Sequence, residues 1–358
     1  MASEDLPRMT GDTTRRRWIA GLAALAAIGA GPVLTGCSGP PTRPDDAPPP
    51  RPPGPAVLQH WRTIGSGQLA LPGGAFGVPT LPGLPGLPGL PAPMGGAPIR
   101  LVGPVALALR AGELVVADAG LGRLIRIPQA SAVASAPAWT VLPPIAGLAI
   151  SPRTVLALGS DASLWALDGP SRELLQLTPG GQLIRRVSLA DLTSPVGFAL
   201  AGVANRVVVA DDASGRWAEW RGATLAEPLG TTGEGGADAI AASLDRVYLL
   251  DRRQARIRVF ALGDGRPLGL IGAGELRQPV ALAADVRGRV AVLDGQDGSV
   301  VFFVPGQPAL RLLPADLRVM QPAALALDDG WLAVADRVGG VVQLFRVREG
   351  RVGEGLTQ

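Results

Sequence analysis

The side chains with the most regular chemistry in this sequence are six aspartates. Each closes a short apolar run: ELVVAD to Asp118, SLWALD to Asp168, RVVVAD to Asp211, RVYLLD to Asp251, RVAVLD to Asp294 and WLAVAD to Asp336. Successive aspartates lie 50, 43, 40, 43 and 42 residues apart. Recurring carboxylates invite a catalytic or metal reading, but turn chemistry accounts for them better. An Asp at a strand end accepts backbone N–H bonds from the turn that follows. A feature repeated in every unit is architecture, whereas a site breaks symmetry. All six are therefore expected to be structural turn residues, and no catalytic or metal-ligating residue is assigned. An oxygen-only calcium site stays chemically open, with Asp211-Asp212, Asp328-Asp329 or Asp294 with Asp297 as candidates. No other cofactor is expected.

Composition closes most alternatives. All 33 basic residues are arginine, and His60, Cys37, Tyr248 and Asn205 are each the single residue of their type. One Cys and one His cannot make an intrachain disulfide or a Cys/His zinc site. Without lysine there is no Schiff base and no Walker-type phosphate loop. From Cys37 onward 29 arginines face 27 acids. They alternate along the chain instead of forming a basic stripe, so no nucleic-acid partner is expected. The 47% hydrophobic fraction argues for a substantial core.

The first 37 residues read as an address. Thr14-Arg15-Arg16-Arg17-Trp18-Ile19, followed by an apolar run to Thr35, resembles a twin-arginine export signal, with Arg15 and Arg16 as its pair. At about 18 residues that run is short for a membrane span. Leu34-Thr35-Gly36-Cys37 looks like a bacterial lipobox, which makes Cys37 the expected lipidation site. Acyl chains there would tether the protein to membrane lipid without spanning it. The implied location is the periplasmic side of the inner or outer membrane. Residues 38–55 are half proline and read as an extended spacer. The segment 71–98, with its Leu-Pro-Gly period, reads as a loop.

From residue 99 the aspartate units dictate the elements that hold them. Nine residues after each Asp stands an apolar residue: Ile127, Leu177, Trp220, Phe260, Phe303 and Phe345. Before most of them a proline opens another run, as at Pro104, Pro195, Pro279 and Pro322. Runs of 4–6 Val-, Leu- and Ile-rich residues between Gly, Pro and Asp are short strands. Being apolar on both faces, they need burial on both. Six four-stranded sheets set radially around an axis provide it, giving an all-β, six-bladed β-propeller. Ala106, Ala108, Ala199, Ala241, Ala283 and Ala326 suit innermost strands that converge on the axis.

The unit resembles the NHL-repeat family of β-propellers, over about residues 104–347. It departs from that pattern near Thr154, where Pro144 or Pro152 would be the opening proline, and it lacks the family's common Asn after the Asp. Gluconolactonase-like propellers hold a metal with Glu, Asp and two Asn; a chain with only Asn205 cannot assemble that set. Quinone-dependent dehydrogenase propellers use a His base, and His60 lies outside the repeats. The resulting layout is signal peptide 1–36, lipidated Cys and tether 37–56, short strand plus Pro/Gly-rich loop 57–98, propeller 99–347 and tail 348–358. Ile99–Val102 is the expected closing strand of the ring, with Val57–Ile64 as the alternative.

Loops after the aspartates and loops before the prolines emerge on one side. That side is the candidate binding face, carrying Arg172, Asp212, Arg252, Arg253, Arg277, Gln278, Asp297, Gln321 and Arg337. Arginine forks pair with carboxylate or phosphate groups of a ligand or partner. The expected role is a non-enzymatic platform for a protein or envelope component. The competing class is a channel-centred small-ligand binder or a metal-dependent, lactonase-like hydrolase.

Overall fold

The computed structural model describes residues 56–68, 98–132, 139–168, 170–202, 204–221, 224–226, 230–231 and 236–349. The export signal with Arg15 and Arg16, Cys37, the tether to Pro55, the Leu-Pro-Gly segment and the tail from residue 350 lie outside these. Among the described residues no helix is long and apolar enough to cross a membrane.

The chain enters through β1 (Ala56–Ile64), then β2 (Ser66–Gln68) and β3 (Pro98–Arg100). Blade 1 follows as β4 (Pro104–Arg110), β5 (Glu113–Asp118), β6 (Arg123–Ile127) and β7 (Thr140–Val141). Blade 2 is β8 (Val155–Leu158), β9 (Leu164–Asp168), β10 (Glu173–Leu177) and β11 (Leu183–Ser188). Blade 3 is β12 (Pro195–Ala201), β13 (Arg206–Asp211), β14 (Arg216–Arg221), β15 (Thr224–Leu225) and β16 (Gly230–Thr231). Blade 4 is β17 (Ala239–Ala242), β18 (Arg246–Asp251), β19 (Arg256–Ala261) and β20 (Pro267–Ile271). Blade 5 is β21 (Pro279–Ala284), β22 (Val290–Asp294), β23 (Val300–Phe303) and β24 (Leu310–Leu312), followed by the one-turn helix α1 (Pro314–Leu317). Blade 6 is β25 (Pro322–Asp328), β26 (Trp331–Asp336) and β27 (Val341–Glu349), with β1 as its fourth strand.

All sheets are antiparallel meanders. Their innermost strands β4, β8, β12, β17, β21 and β25 neighbour one another in a closed ring, so the protein is a six-bladed β-propeller. The second strand of each blade is the most deeply covered. Val115, Val116, Ala117, Leu164, Leu249, Val292, Ala333 and Val334 are fully buried. Each such Val or Leu contributes roughly 1.5–3 kcal/mol relative to exposure. Six clusters of buried apolar side chains fill the spaces between the blades, one per neighbouring pair. Burial fades outward: β11 and β20 are largely exposed, so two-sided burial belongs to the inner strands.

Closure differs from the expectation for Ile99–Val102. The ring closes on Ala56–Ile64, which pairs antiparallel with β27 from Ala56↔Glu349 to Ile64↔Val342. The reason is length and competition for donors. β1 offers nine residues to a nine-residue β27, which runs to Glu349, into the segment expected to be tail. Pro98–Arg100 spans three residues and pairs with Ser66–Gln68 instead, while Asp118 takes the N–H groups of Val102 and Gly103. Trp61 packs edge-on against Trp331 at 5.5 Å across the closure.

β27 leaves the aspartate side at Val341, opposite Asp336. Hence Ala56, opposite Glu349, enters on the reverse side, where the β25–β26 hairpin lies. Blade 2 is irregular where the sequence departs: β8 has only four residues and begins after the turn Ser151–Thr154, held by the Thr154 N–H to Ser151 carbonyl bond.

Candidate functional site

The site is built on the aspartate side. Asp118 accepts the N–H groups of Val102 (2.7 Å), Gly103 (3.0 Å) and Leu121 (3.0 Å). Asp294 accepts those of Arg277, Gln278 and Gln296. Asp336 accepts four, from Met320, Gln321, Val338 and Gly339. Asp211 takes the Ser194 N–H together with the N–H and hydroxyl of Ser214. Asp251 takes the Gln254 N–H and lies 3.7 Å from Arg256. In blades 1, 5 and 6 the carboxylate thus latches the two residues before the inner strand's proline. Burial pushes the Asp336 carboxyl up, but its backbone donors outweigh this and hold its pKa below the usual value. Asp168 Oδ1 and Asp251 Oδ2 are both buried with no hydrogen-bond partner among the described residues.

A second regularity follows each aspartate. The fourth residue after each aspartate has positive φ in all six blades. The residues are Gly122 (62°), Arg172 (53°), Gly215 (61°), Ala255 (45°), Gly298 (70°) and Gly340 (61°). This hairpin loop requires a left-handed final residue, and four blades use glycine, which carries no Cβ penalty. Arg172 holds the same conformation at a cost of about 1–3 kcal/mol. Blades 2 and 4 therefore both depart from the pattern, at Asp168 and Arg172 and at Asp251 and Ala255.

The inner strands enclose a central channel of about 800 Å³. Its lining is more polar than apolar, because Leu107, Leu156, Phe198, Ile240 and Leu325 of the inner strands belong to the buried clusters between the blades. The charged residues on its aspartate-side rim are Arg153, Arg172, Asp212, Asp238 and Arg252, all from blades 2 to 4. Arg172 Nη1 donates to the Leu192 carbonyl at 3.2 Å. Asp238 accepts the Arg252 N–H at 2.8 Å. Of the nine residues expected on this face, Arg172, Asp212 and Arg252 meet at the channel. Arg253, Arg277, Gln278, Asp297, Gln321 and Arg337 do not line it. Asp297 pairs with Arg311 at 3.1 Å and lies 4.0 Å from Arg277. Arg153 was missed, because its place depends on the irregular approach to β8. The oddity of Arg172 is visible once the six loops are stacked: Gly, Arg, Gly, Ala, Gly, Gly.

Blades 5, 6 and 1 expose apolar side chains on the same side, all but Val280 outside the channel. Val102 is 57% exposed, Met320 69%, Val338 62%, Leu313 50% and Val280 38%. Asp118 and Asp336 fix the backbone of three of these, Val102, Met320 and Val338. Among them stand Arg277, Gln278, Gln321 and Arg337.

The calcium candidates are engaged within the protein. Asp328 accepts the Ala111 N–H, Asp329 pairs with Arg287 at 2.7 Å, and Arg311 contacts both Asp294 and Asp297. Among the described residues no three His, Cys, Asp or Glu side chains group as a metal site. His60 sits in β1, with Nε2 3.0 Å from Gln343 Oε1 and its ring against Phe345. In blade 3, Glu219 accepts bidentate bonds from Arg206 (2.8 and 2.6 Å) and further bonds from Arg221. Arg206 first, then Arg221, outweigh burial and lower its pKa to about 2.

No protein-family model and no curated protein matches the chain. Solved structures do. A streptogramin B lyase superposes with a TM-score of 0.50 at 11% identity, over 70% of this chain and 95% of that one. A protein of unknown function from Bacteroides thetaiotaomicron VPI-5482 gives 0.50 at 12% identity, over 69% and 70%. The WD40 β-propeller domain of Doa1 gives 0.48 at 10%, over 67% and 77%. At these identities the likeness is one of fold alone.

Proposed function

We propose that this chain is an exported, lipid-anchored propeller of the NHL type whose aspartate face binds a protein partner. The NHL reading is supported by the proline–Asp spacing, and the anchor by the lipobox-like residues before Cys37. The observation that carries the binding role is the set Val102, Val280, Leu313, Met320 and Val338, exposed on three adjacent blades. Apolar residues with Met and Arg among them are the composition of interface cores. A clustered exposed patch on a folded surface marks an interaction site more often than a scatter does. The buried carboxylates under Val102, Met320 and Val338 hold the backbone in place before binding, which limits the entropy lost on association.

The test places a photo-crosslinking amino acid at Met320, and in a second protein at Leu244 on the opposite side, each in the native membrane. A discrete adduct from Met320 with none from Leu244 is expected; equal labelling from both would overturn the reading. The anchor is tested separately by labelled palmitate, expected on the natural chain and absent from Cys37→Ser.

A further inference from the structure

The two mouths of the channel are chemically unlike. On the reverse side each charged lining residue is engaged within the protein. Arg110 donates to the Leu158 carbonyl, Asp328 accepts the Ala111 N–H, and Asp285 pairs with the buried Arg289. On the aspartate side Arg153, Arg172 and Arg252 share the rim with Asp212 and Asp238. Among the described residues none of these arginines pairs with either carboxylate. Elsewhere the chain joins such neighbours, Arg206 to Glu219, Arg289 to Asp285 and Arg311 to Asp297. The rim groups also keep open valences. Arg172 uses one of its five N–H donors on the Leu192 carbonyl. Asp238 gives Oδ2 to the Arg252 N–H and keeps Oδ1. Between the mouths the lining is polar, because each inner strand is hydrogen-bonded on one side only and its other backbone edge faces the axis. The volume, about 800 Å³, falls within the ~300–1,000 Å³ of small-molecule sites.

We propose that the aspartate-side mouth binds a small polar molecule carrying both an oxyanion and hydrogen-bond donors. Arg153, Arg172 and Arg252 take the oxyanion, and Asp212 and Asp238 take the donors. Planar guanidinium forks match carboxylate and phosphate oxygens, and a carboxylate accepts from hydroxyl or ammonium groups. Opposite charges set around one opening, and not joined to each other, favour such a ligand over a bare anion, which the carboxylates repel. They favour it equally over a bare cation, which the arginines repel. This goes beyond the platform reading and uses different residues, so either can fail alone.

The test is calorimetric titration of the full chain carrying Cys37→Ser, at fixed ionic strength. The probes are glucuronate, glycerol phosphate and the free amino acid alanine, which carry both groups, and acetate, sulfate and glucose, which carry one. At least one of the first three is expected to bind more tightly than each of the last three, and the tightest names the oxyanion and the donor. Acetate or sulfate binding as tightly would overturn the role of the aspartates. Glucose binding as tightly would overturn the role of the arginines, and no binding by any probe would overturn the site. Arg153→Gln and Arg172→Gln are each expected to weaken the tightest probe by about tenfold or more at an unchanged melting temperature. Unchanged affinity in either would overturn the part given to that arginine. Asp212→Asn is expected to weaken the same probe while acetate and sulfate bind no less tightly, since it removes a negative charge and spares the arginines. A merely structural Asp212 would instead lower the melting temperature and leave the ratio of affinities alone, which would overturn its assignment. Arg266→Gln, on the reverse side, must leave every affinity as it was.

Discussion

The six aspartates differ in how far their oxygens are satisfied, and the differences have measurable consequences. Asp336 accepts four backbone N–H groups, so Asp336→Ala leaves several buried donors without partners. A loss of about 2–4 kcal/mol in urea unfolding is expected. Asp168, with an unpartnered buried oxygen, should tolerate Asp168→Asn at less than about 1 kcal/mol. Equal costs at the two positions would show that the latches are not what the carboxylates are for. The pH dependence follows from the depressed pKa of Asp336. Its folded value lies below the unfolded one, so its contribution is complete above the unfolded pKa, about 3.9. It is lost as pH falls through the folded value. The stability gap between the natural chain and Asp336→Asn should therefore close on acidification. Glu219 behaves alike: its contribution is present above its ordinary value and disappears as pH falls towards about 2. The aspartate spacing made these turns legible in the sequence. The failed latch at Asp168 was not, because it depends on how the chain approaches β8.

Among the elements, β1 carries the most consequence for its size. It is one of 27 strands among the described residues, yet it covers the outer edge of blade 6 and shelters Phe345 and Trp331. Replacing residues 56–64 by a Gly/Ser stretch should expose the β27 edge. A lowered melting temperature, together with self-association in size-exclusion chromatography, is the expected result. An unchanged monomer would mean that the ring does not need this strand. The strand itself could be read from VLQHWRTI, and closure of the last blade by it was the second of two readings, behind Ile99–Val102. Register is set by the length and donors of an edge some 280 residues away, and neither is written in the local pattern. The inner strands were easier to read because the axis imposes small side chains on each of them, as at Ala106, Ala199 and Ala326.

For the whole molecule, the repeat explains the shape and the exceptions explain the candidate sites. Six near-equivalent blades make the ring; on the aspartate side, exposed apolar residues come from blades 5, 6 and 1 and the charged channel rim from blades 2 to 4.

The entry point of β1 also sets a direction. Because Ala56 joins the ring on the reverse side, a fusion or label placed ahead of it joins the propeller there and leaves the aspartate loops clear of the junction.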